Sequence, residues 1–287
     1  MRKLVPLSPH PLYVARFIEI RDGKHRVVRG RLVGIHHQIS TQYQALEAAA
    51  ASASLQTLVP DPACAEVSDA LRACYEGQTK SLQALKTAIK STQPPRLLKY
   101  CPMCGTTLPR TFDHYVPSAR FPEFAVHPLN IVPCCADCNS TKSDNWLDAT
   151  GNRQYLHAYT DSLPEATYLY ATMHELSGYN AVGATFTLVR PNAIENLAWA
   201  LIQSHFERLR LLDRYNDLSN DEIAEILADS RIYLNSGGQN VRAFLTSQAA
   251  DREDAHGKNH WRAVLLRAMA GHSHLENWIN PSCVPTP

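Results

Sequence analysis

Four of the eight cysteines fall in two short pairs, Cys101-Pro102-Met103-Cys104 and Cys135-Ala136-Asp137-Cys138, separated by 30 residues. A C-x2-C pair folds into a tight knuckle that presents two thiolates to one ion, so two knuckles complete a tetrahedral four-thiolate Zn²⁺ site. Cys134 adjoins the second knuckle and offers a C-x3-C alternative to Cys135, a less common spacing. Between and just after the knuckles lie Asp113-His114, Asn130, Asn139 and Lys142. Those residue types suit phosphodiester hydrolysis, which needs a base for water and a cation to neutralise charge on the phosphate. His114 can be the base, because a neutral imidazole persists near pH 7. Asp113 and Asn139 offer hard oxygen ligands suited to Mg²⁺ or Mn²⁺. Lys142 follows Asn139 by nearly one helical turn and is a candidate phosphate contact. Taken singly, each is as readily an ordinary strand acid, a half-buried histidine, a helix-side amide or a solvated surface charge. Their joint occurrence around one pair of knuckles singles them out.

The order Asp-His, then Asn130 ahead of the second knuckle, then Cys138-Asn139-Ser140-Thr141-Lys142, resembles the HNH (ββα-metal) endonuclease superfamily in its form with a four-cysteine zinc site. The resemblance implies two antiparallel strands and a helix gripping one catalytic ion, with His114 as base and Asp113 and Asn139 as its ligands. In that family the middle Asn, here Asn130, orients the imidazole or bridges the strands. Many members carry a third His where this chain has Asn139; the Asp/Asn pair favours Mg²⁺ or Mn²⁺ over a transition metal. The stretches Asp113 to Phe124, Pro128 to Pro133 and Tyr155 to Asp161 are similar to a bacterial subgroup in which the nuclease accompanies an ATPase in anti-phage defence, as in Septu-like systems. DNA is the expected substrate. RNA, for example tRNA, cut at the same site, and a zinc-dependent binding or scaffold module without catalysis, are the alternatives.

The elements that must position these residues follow from pattern. Arg110 to Tyr115 and Asn130 to Pro133 are expected strands, and Ala136 to Asp148 a helix, joined by an irregular loop carrying Pro117, Pro122 and Pro128. Such a loop is poorly determined without the zinc. Around it the fold is expected to be α+β and predominantly helical, with a basic N-terminal region and helical hairpin over 1–95, the nuclease module over 96–161 and a mainly helical region over 162–287. Gln42 to Leu58 and Ala63 to Thr92 are rich in Ala, Leu, Gln and Lys, and Pro60, Pro62 and Pro94-Pro95 break them. The stripe Ile194, Leu197, Ala198, Leu201, Ile202 predicts a helix over Asn192 to Tyr215. Ser219-Asn220-Asp221-Glu222 reads as a capping box opening another, and His260 to Met269 as a further one. Ala184 to Val189 alternates as a strand, with Ala166 to Met173 as its partner.

Composition sets the remaining bounds. The 287 residues, 45% hydrophobic and 19% charged, can form one large or two modest domains. The first twenty residues are too broken by Pro and polar residues for a secretory leader, and no apolar run approaches a membrane span. A cytoplasmic location is therefore expected, with the cysteines reduced. Cys64 and Cys74 read as small core residues, and Cys283 sits in a Pro-rich tail. The net charge of +1 is unevenly spread: Met1 to His37 carries eight Lys/Arg against two acids, and Gly77 to Phe112 six against none. Such segments supply salt-sensitive affinity for phosphates, or are solvated surface balanced elsewhere. His10, His25, His36 and His37 read as scattered surface imidazoles, and Trp199, Trp261 and Trp278 as core.

Overall fold

The computed structural model describes residues 2–163, 165–176 and 181–280, so Cys283 lies outside the described residues. The chain divides into two compact units: Lys3–Ser162, and Leu163–Pro287 together with Met1–Arg2. Residues 3–95 and 96–161 thus lie in one unit. The α+β, mostly helical class holds: helices predominate, with two small two-stranded sheets.

Six helices open the first unit: α1 (Tyr13–Asp22), α2 (Arg26–Gly34), α3 (His36–Ala51), α4 (Pro62–Glu66), α5 (Ser68–Glu76) and α6 (Lys80–Ser91). Their apolar residues recur at helical spacing and face inward, Tyr13, Phe17 and Ile20 on α1 and Leu82, Leu85 and Ile89 on α6. A simple hairpin is not what forms. The expected helix over Ala63 to Thr92 is broken at Val67 and again at Gly77, whose backbone is extended. Side chains then restart the chain: the Asp61 carboxylate accepts from the Cys64 amide at 3.0 Å and the Thr79 hydroxyl from the Leu82 amide at 3.3 Å. These local caps outweigh uniform helix propensity. The helix expected over Gln42 to Leu58 instead starts at His36 and stops at Ala51, and Ala53 just beyond it adopts a positive φ of 55°.

Strands β1 (Thr111–His114) and β2 (Ile131–Cys134) pair antiparallel, with Thr111 opposite Cys134 and His114 opposite Ile131. After one residue, α7 (Ala136–Lys142) packs on β1. This helix is shorter than expected, because Ser143 turns to a φ of 45° and ends it. Cys64 and Cys74 are buried, as core residues.

In the second unit β3 (Leu169–Leu176) pairs antiparallel with β4 (Ala181–Leu188), Ala171 opposite Phe186. Five helices follow: α8 (Asn196–Arg208), α9 (Leu211–Asn235), α10 (Val241–His256), α11 (Trp261–Gly271) and α12 (Leu275–Ile279). Helix α9 packs on β4 and α11 on β3. The core between them is aromatic: Phe186 lies 5.6 Å from Tyr215, which stacks on Trp261 at 5.9 Å. Two expectations fail here. Ser219 opens no helix; it is buried inside α9, its hydroxyl donates to the Asn216 carbonyl, and Glu222 pairs with Arg262. The helix expected over Asn192 to Tyr215 is two, split at Arg210 (φ 50°), and its inward stripe is Trp199, Ile202, His205 and Phe206, leaving Leu197 exposed. Trp199 and Trp261 are buried; Trp278 is only half-buried.

Candidate metal centre and the groove beside it

The four cysteines of the two knuckles come together from distant parts of the chain. Cys101, Cys104, Cys135 and Cys138 are buried, and their sulfurs all lie within 4.8 Å of one another. The Sγ atoms of Cys104 and Cys135 are 3.8 Å apart. That equals the edge of a tetrahedron, about 3.8 Å, expected for zinc–sulfur bonds of about 2.3 Å. No disulfide joins these residues. The local chain is shaped for anionic sulfur: the Cys135 amide donates to Cys101 Sγ at 3.3 Å and the Cys138 amide to Cys135 Sγ at 3.5 Å. Gly105, at a φ of 71°, closes the first knuckle, its amide reaching the Cys101 carbonyl at 2.8 Å. Four buried thiolates would repel one another without a cation, so the donor set fits a closed structural Zn²⁺ site. Cys134 is not part of it; its thiol lies 3.4 Å from the Thr111 hydroxyl on the hairpin. Cys135 is therefore the member of the cluster.

Asp113 and His114, adjacent on β1, meet different surroundings. The His114 Nε2 lies 2.8 Å from the Ala125 carbonyl oxygen. A carbonyl only accepts, so the proton sits on Nε2 and the lone pair is left on Nδ1. Enclosure pushes the imidazole pKa down to about 4, the Ala125 bond opposing and the ammonium groups of Lys142 and Lys86 assisting. The ring is therefore neutral at pH 7. Tyr75 of α5 packs edge-on against it at 4.3 Å, and its hydroxyl donates to the Phe112 carbonyl at 3.2 Å.

Asn130 bridges backbone and does not reach the imidazole by any bond seen here. Its Oδ1 accepts from the Val116 amide at 2.7 Å, and its Nδ2 donates to the carbonyls of Val116 at 3.0 Å and Phe124 at 3.1 Å. The residue so pinned, Phe124, precedes the carbonyl that holds His114. Asn130 thus fixes the ring at one remove.

Lys142 is where the expectation and the structure part. Its side chain is fully buried; Nζ lies 3.0 Å from Asp113 Oδ2 and donates to the His114 carbonyl at 2.7 Å. An ammonium so enclosed is not placed to meet a phosphate from solvent. The reason is the helix phase: α7 turns Lys142 back onto β1 beneath the carboxylate of Asp113, which burial pushes towards protonation and the ammonium pulls back. Burial of either charge alone would be costly, and together they are tolerable.

Asn139 faces a groove of about 510 Å³. Lys86 and Lys90 of α6, Arg110, Phe112 and Tyr75 line it, with Asn139 at one side. Lys86 Nζ sits 4.1 Å from the Tyr75 ring centre and Lys90 Nζ 5.0 Å from that of Phe112. Three of the six cations of the Gly77 to Phe112 run are thereby gathered at one opening beside the hairpin. Charge counting pointed to the run but could not separate these three from Lys80, Arg96 and Lys99. Tyr75 and the Ala125 carbonyl carried no sequence signal at all, since neither residue type advertises a site.

The stretch Tyr155 to Asp161 supports the hairpin from behind. Tyr159 donates its hydroxyl to the Ile131 carbonyl at 2.9 Å, and the Tyr115 hydroxyl bonds the Tyr155 carbonyl at 2.7 Å. Asp161 pairs with Arg153 at 3.0 Å.

Compared with known proteins, the chain is similar to Protein ea31 of Escherichia phage lambda, 39% identical over 62 residues that cover 21% of each chain. It thus spans about a fifth of that relative's length. No protein-family profile matches the chain, and no solved structure does. Among the described residues, no helix is long and apolar enough to cross a membrane.

Proposed function

We propose that the Lys3–Ser162 unit is a metal-dependent HNH-type endonuclease that hydrolyses phosphodiester bonds of DNA, with His114 as general base. The observation that carries this reading is the state of His114. It is a neutral ring with its proton fixed on Nε2 by the Ala125 carbonyl, leaving Nδ1 able to take a proton from water. It stands on a hairpin held next to a four-thiolate cluster and beside a basic groove. Lys86, Lys90 and Arg110, which line the groove, would carry the phosphate backbone, a role the buried Lys142 is not placed to fill. Asp113 and Asn139 are the hard oxygen donors that would hold Mg²⁺ or Mn²⁺, which would supply charge neutralisation at the phosphate. A partner ATPase that delivers or restrains the enzyme in anti-phage defence belongs to the same proposal.

One observation favours a second reading, a zinc-dependent nucleic-acid-binding module without catalysis. The Asp113 carboxylate already has a cation, Lys142, at 3.0 Å, and a divalent ion must share or displace it.

The test is cleavage of supercoiled plasmid and of total RNA by zinc-loaded protein with Mg²⁺, with Mn²⁺ or with neither, comparing wild type with His114→Ala. Divalent-dependent plasmid cutting lost in the variant supports the proposal. Loss of RNA alone moves the substrate to RNA. Binding of both nucleic acids with cleavage of neither leaves the second reading standing.

A further inference from the structure

Away from the cysteines, the second unit carries a cluster that no element of the nuclease reading uses. Glu175 near the end of β3 meets His272 and His274, which sit in the turn between α11 and α12, and one ligand atom from each lies within 4.8 Å of the other two. We propose that this trio is a surface binding site for a borderline transition-metal ion of the Zn²⁺, Ni²⁺ or Cu²⁺ class.

The argument starts from the donors. Two imidazoles and one carboxylate suit such ions, whereas Mg²⁺ and Ca²⁺ prefer all-oxygen shells. Three protein ligands leave further positions for water, the pattern of an open site. The carboxylate is already oriented: Trp278 Nε1 and His274 Nδ1 both lie 2.7 Å from Glu175 Oε1. The His272 ring is positioned as well, stacked on the Trp278 indole at 4.3 Å. Trp278 therefore braces two of the three ligands while offering no lone pair itself, the part an outer partner plays at a metal centre. This accounts for a tryptophan that stays half-buried where a core role was expected.

Binding has a definite proton balance. The Nδ1 proton that His274 donates to Glu175 moves to Nε2, the ring staying a neutral imidazole, and the ion takes its place between the two residues. His272 gives up at most a 3.2 Å bond accepted by Nδ1 from the His274 amide. The ion would thereby tie the end of β3 to the α11–α12 turn, two segments 97 or more residues apart in sequence.

The test is calorimetric titration of full-length, zinc-loaded protein with Ni²⁺ in a non-coordinating buffer at pH 7.5, with Mg²⁺ as competitor. One equivalent of Ni²⁺ beyond the four-thiolate zinc is expected, unaffected by Mg²⁺ and lost in the His272→Ala/His274→Ala double variant. Trp278→Phe keeps the ring but removes the bracing hydrogen bond, and should weaken Ni²⁺ about tenfold. Because all the substituted residues are partly or wholly exposed, unchanged circular dichroism serves as the folding control. With Cu²⁺ as probe, electron paramagnetic resonance should report two coordinating imidazole nitrogens in the wild type. Absence of an additional Ni²⁺ equivalent in wild type, or equal uptake by the double variant, overturns the site. Neither result bears on plasmid cleavage, so this inference and the nuclease proposal fail separately.

Discussion

The two hairpins of the molecule are built on opposite principles. Each strand of β1–β2 is four residues long, and those of β3–β4 are eight. A four-residue ladder has too few bonds to stand alone. Its surroundings supply the difference: a thiolate cluster at β2, the Asp113–Lys142 pair beneath β1, and Asn130 stapling the loop between them. Among the described residues, the longer hairpin carries no buried charge pair, and it rests on α9 and α11 through Phe186, Tyr215 and Trp261. One hairpin is fixed by polar and ionic contacts that hold particular side chains in place, the other by apolar area. The first arrangement is costly in stability and suited to presenting His114; the second rests on its apolar face and needs no such support.

Zinc removal should break the comparison most sharply. Structural Zn²⁺ contributes on the order of 10 kcal/mol of folding free energy in small zinc domains. Chelation, or Cys135→Ser, should abolish the tertiary structure of the Lys3–Ser162 unit. Trp146, buried there, reports on it by near-ultraviolet circular dichroism and fluorescence. Cys134→Ser should spare the metal stoichiometry, since its sulfur stands outside the cluster.

The next largest effect belongs to Lys142. Lys142→Ala strands a buried carboxylate, and removing one partner of such a pair costs about 3–5 kcal/mol. Chemical denaturation should show that loss. Asp113→Asn in the same chain should recover much of it, the coupling that a double-mutant cycle isolates. Equal, additive losses in the two single variants would mean that the pair contributes nothing. In the apolar hairpin, Phe186→Ala should cost a similar 3–5 kcal/mol through cavity formation, but without any coupling to charge and without dependence on pH.

The two hairpins were not equally legible in the sequence. In the longer hairpin only Ala184 to Val189 followed from alternation, a local property, and fell within three residues of the bounds of β4, whereas β1 and β2 formed within one residue of their expected bounds. The cysteine cluster was equally plain, since C-x2-C spacing encodes a knuckle directly. Lys142 was misplaced because the sequence gives its residue type and helix phase but not what lies across the helix. Only the register of β1 against α7 brings Asp113 beneath it. Ser219 differs for a related reason: a capping box requires the helix to begin there, but Ser219 is buried and bonded within α9 and Glu222 pairs with Arg262 of α11, so α9 runs through. The breaks at Val67 and Gly77 turned on backbone dihedrals that composition does not fix.

Glu123 sharpens the comparison through pH, with the smallest of these effects. It lies in the Pro122–Phe124 turn of the loop between β1 and β2, buried, with Oε1 accepting from the Asp61 amide at 3.2 Å and Oε2 without a partner. Burial pushes its carboxyl up from 4.5 to about 7. The folded state therefore keeps a proton that the unfolded chain releases between pH 4.5 and pH 7. Stability contributed by the protonated acid is fully present below 4.5 and is lost as pH rises through about 7. At about 1.4 kcal/mol per pH unit, the loss across that window approaches roughly 3 kcal/mol before relaxation and water entry reduce it. Denaturation of the Lys3–Ser162 unit measured from pH 5 to pH 8.5 should show this decline. Glu123→Gln keeps an oxygen for the Asp61 amide and cannot ionise, so its curve should be flatter and should lie above wild type at the alkaline end. A parallel decline in both proteins would assign the pH dependence to another group. A flat curve in both would mean that solvent reaches Oε2, and that the loop presenting the Ala125 carbonyl to His114 is less tightly closed than its hydrogen bonds imply.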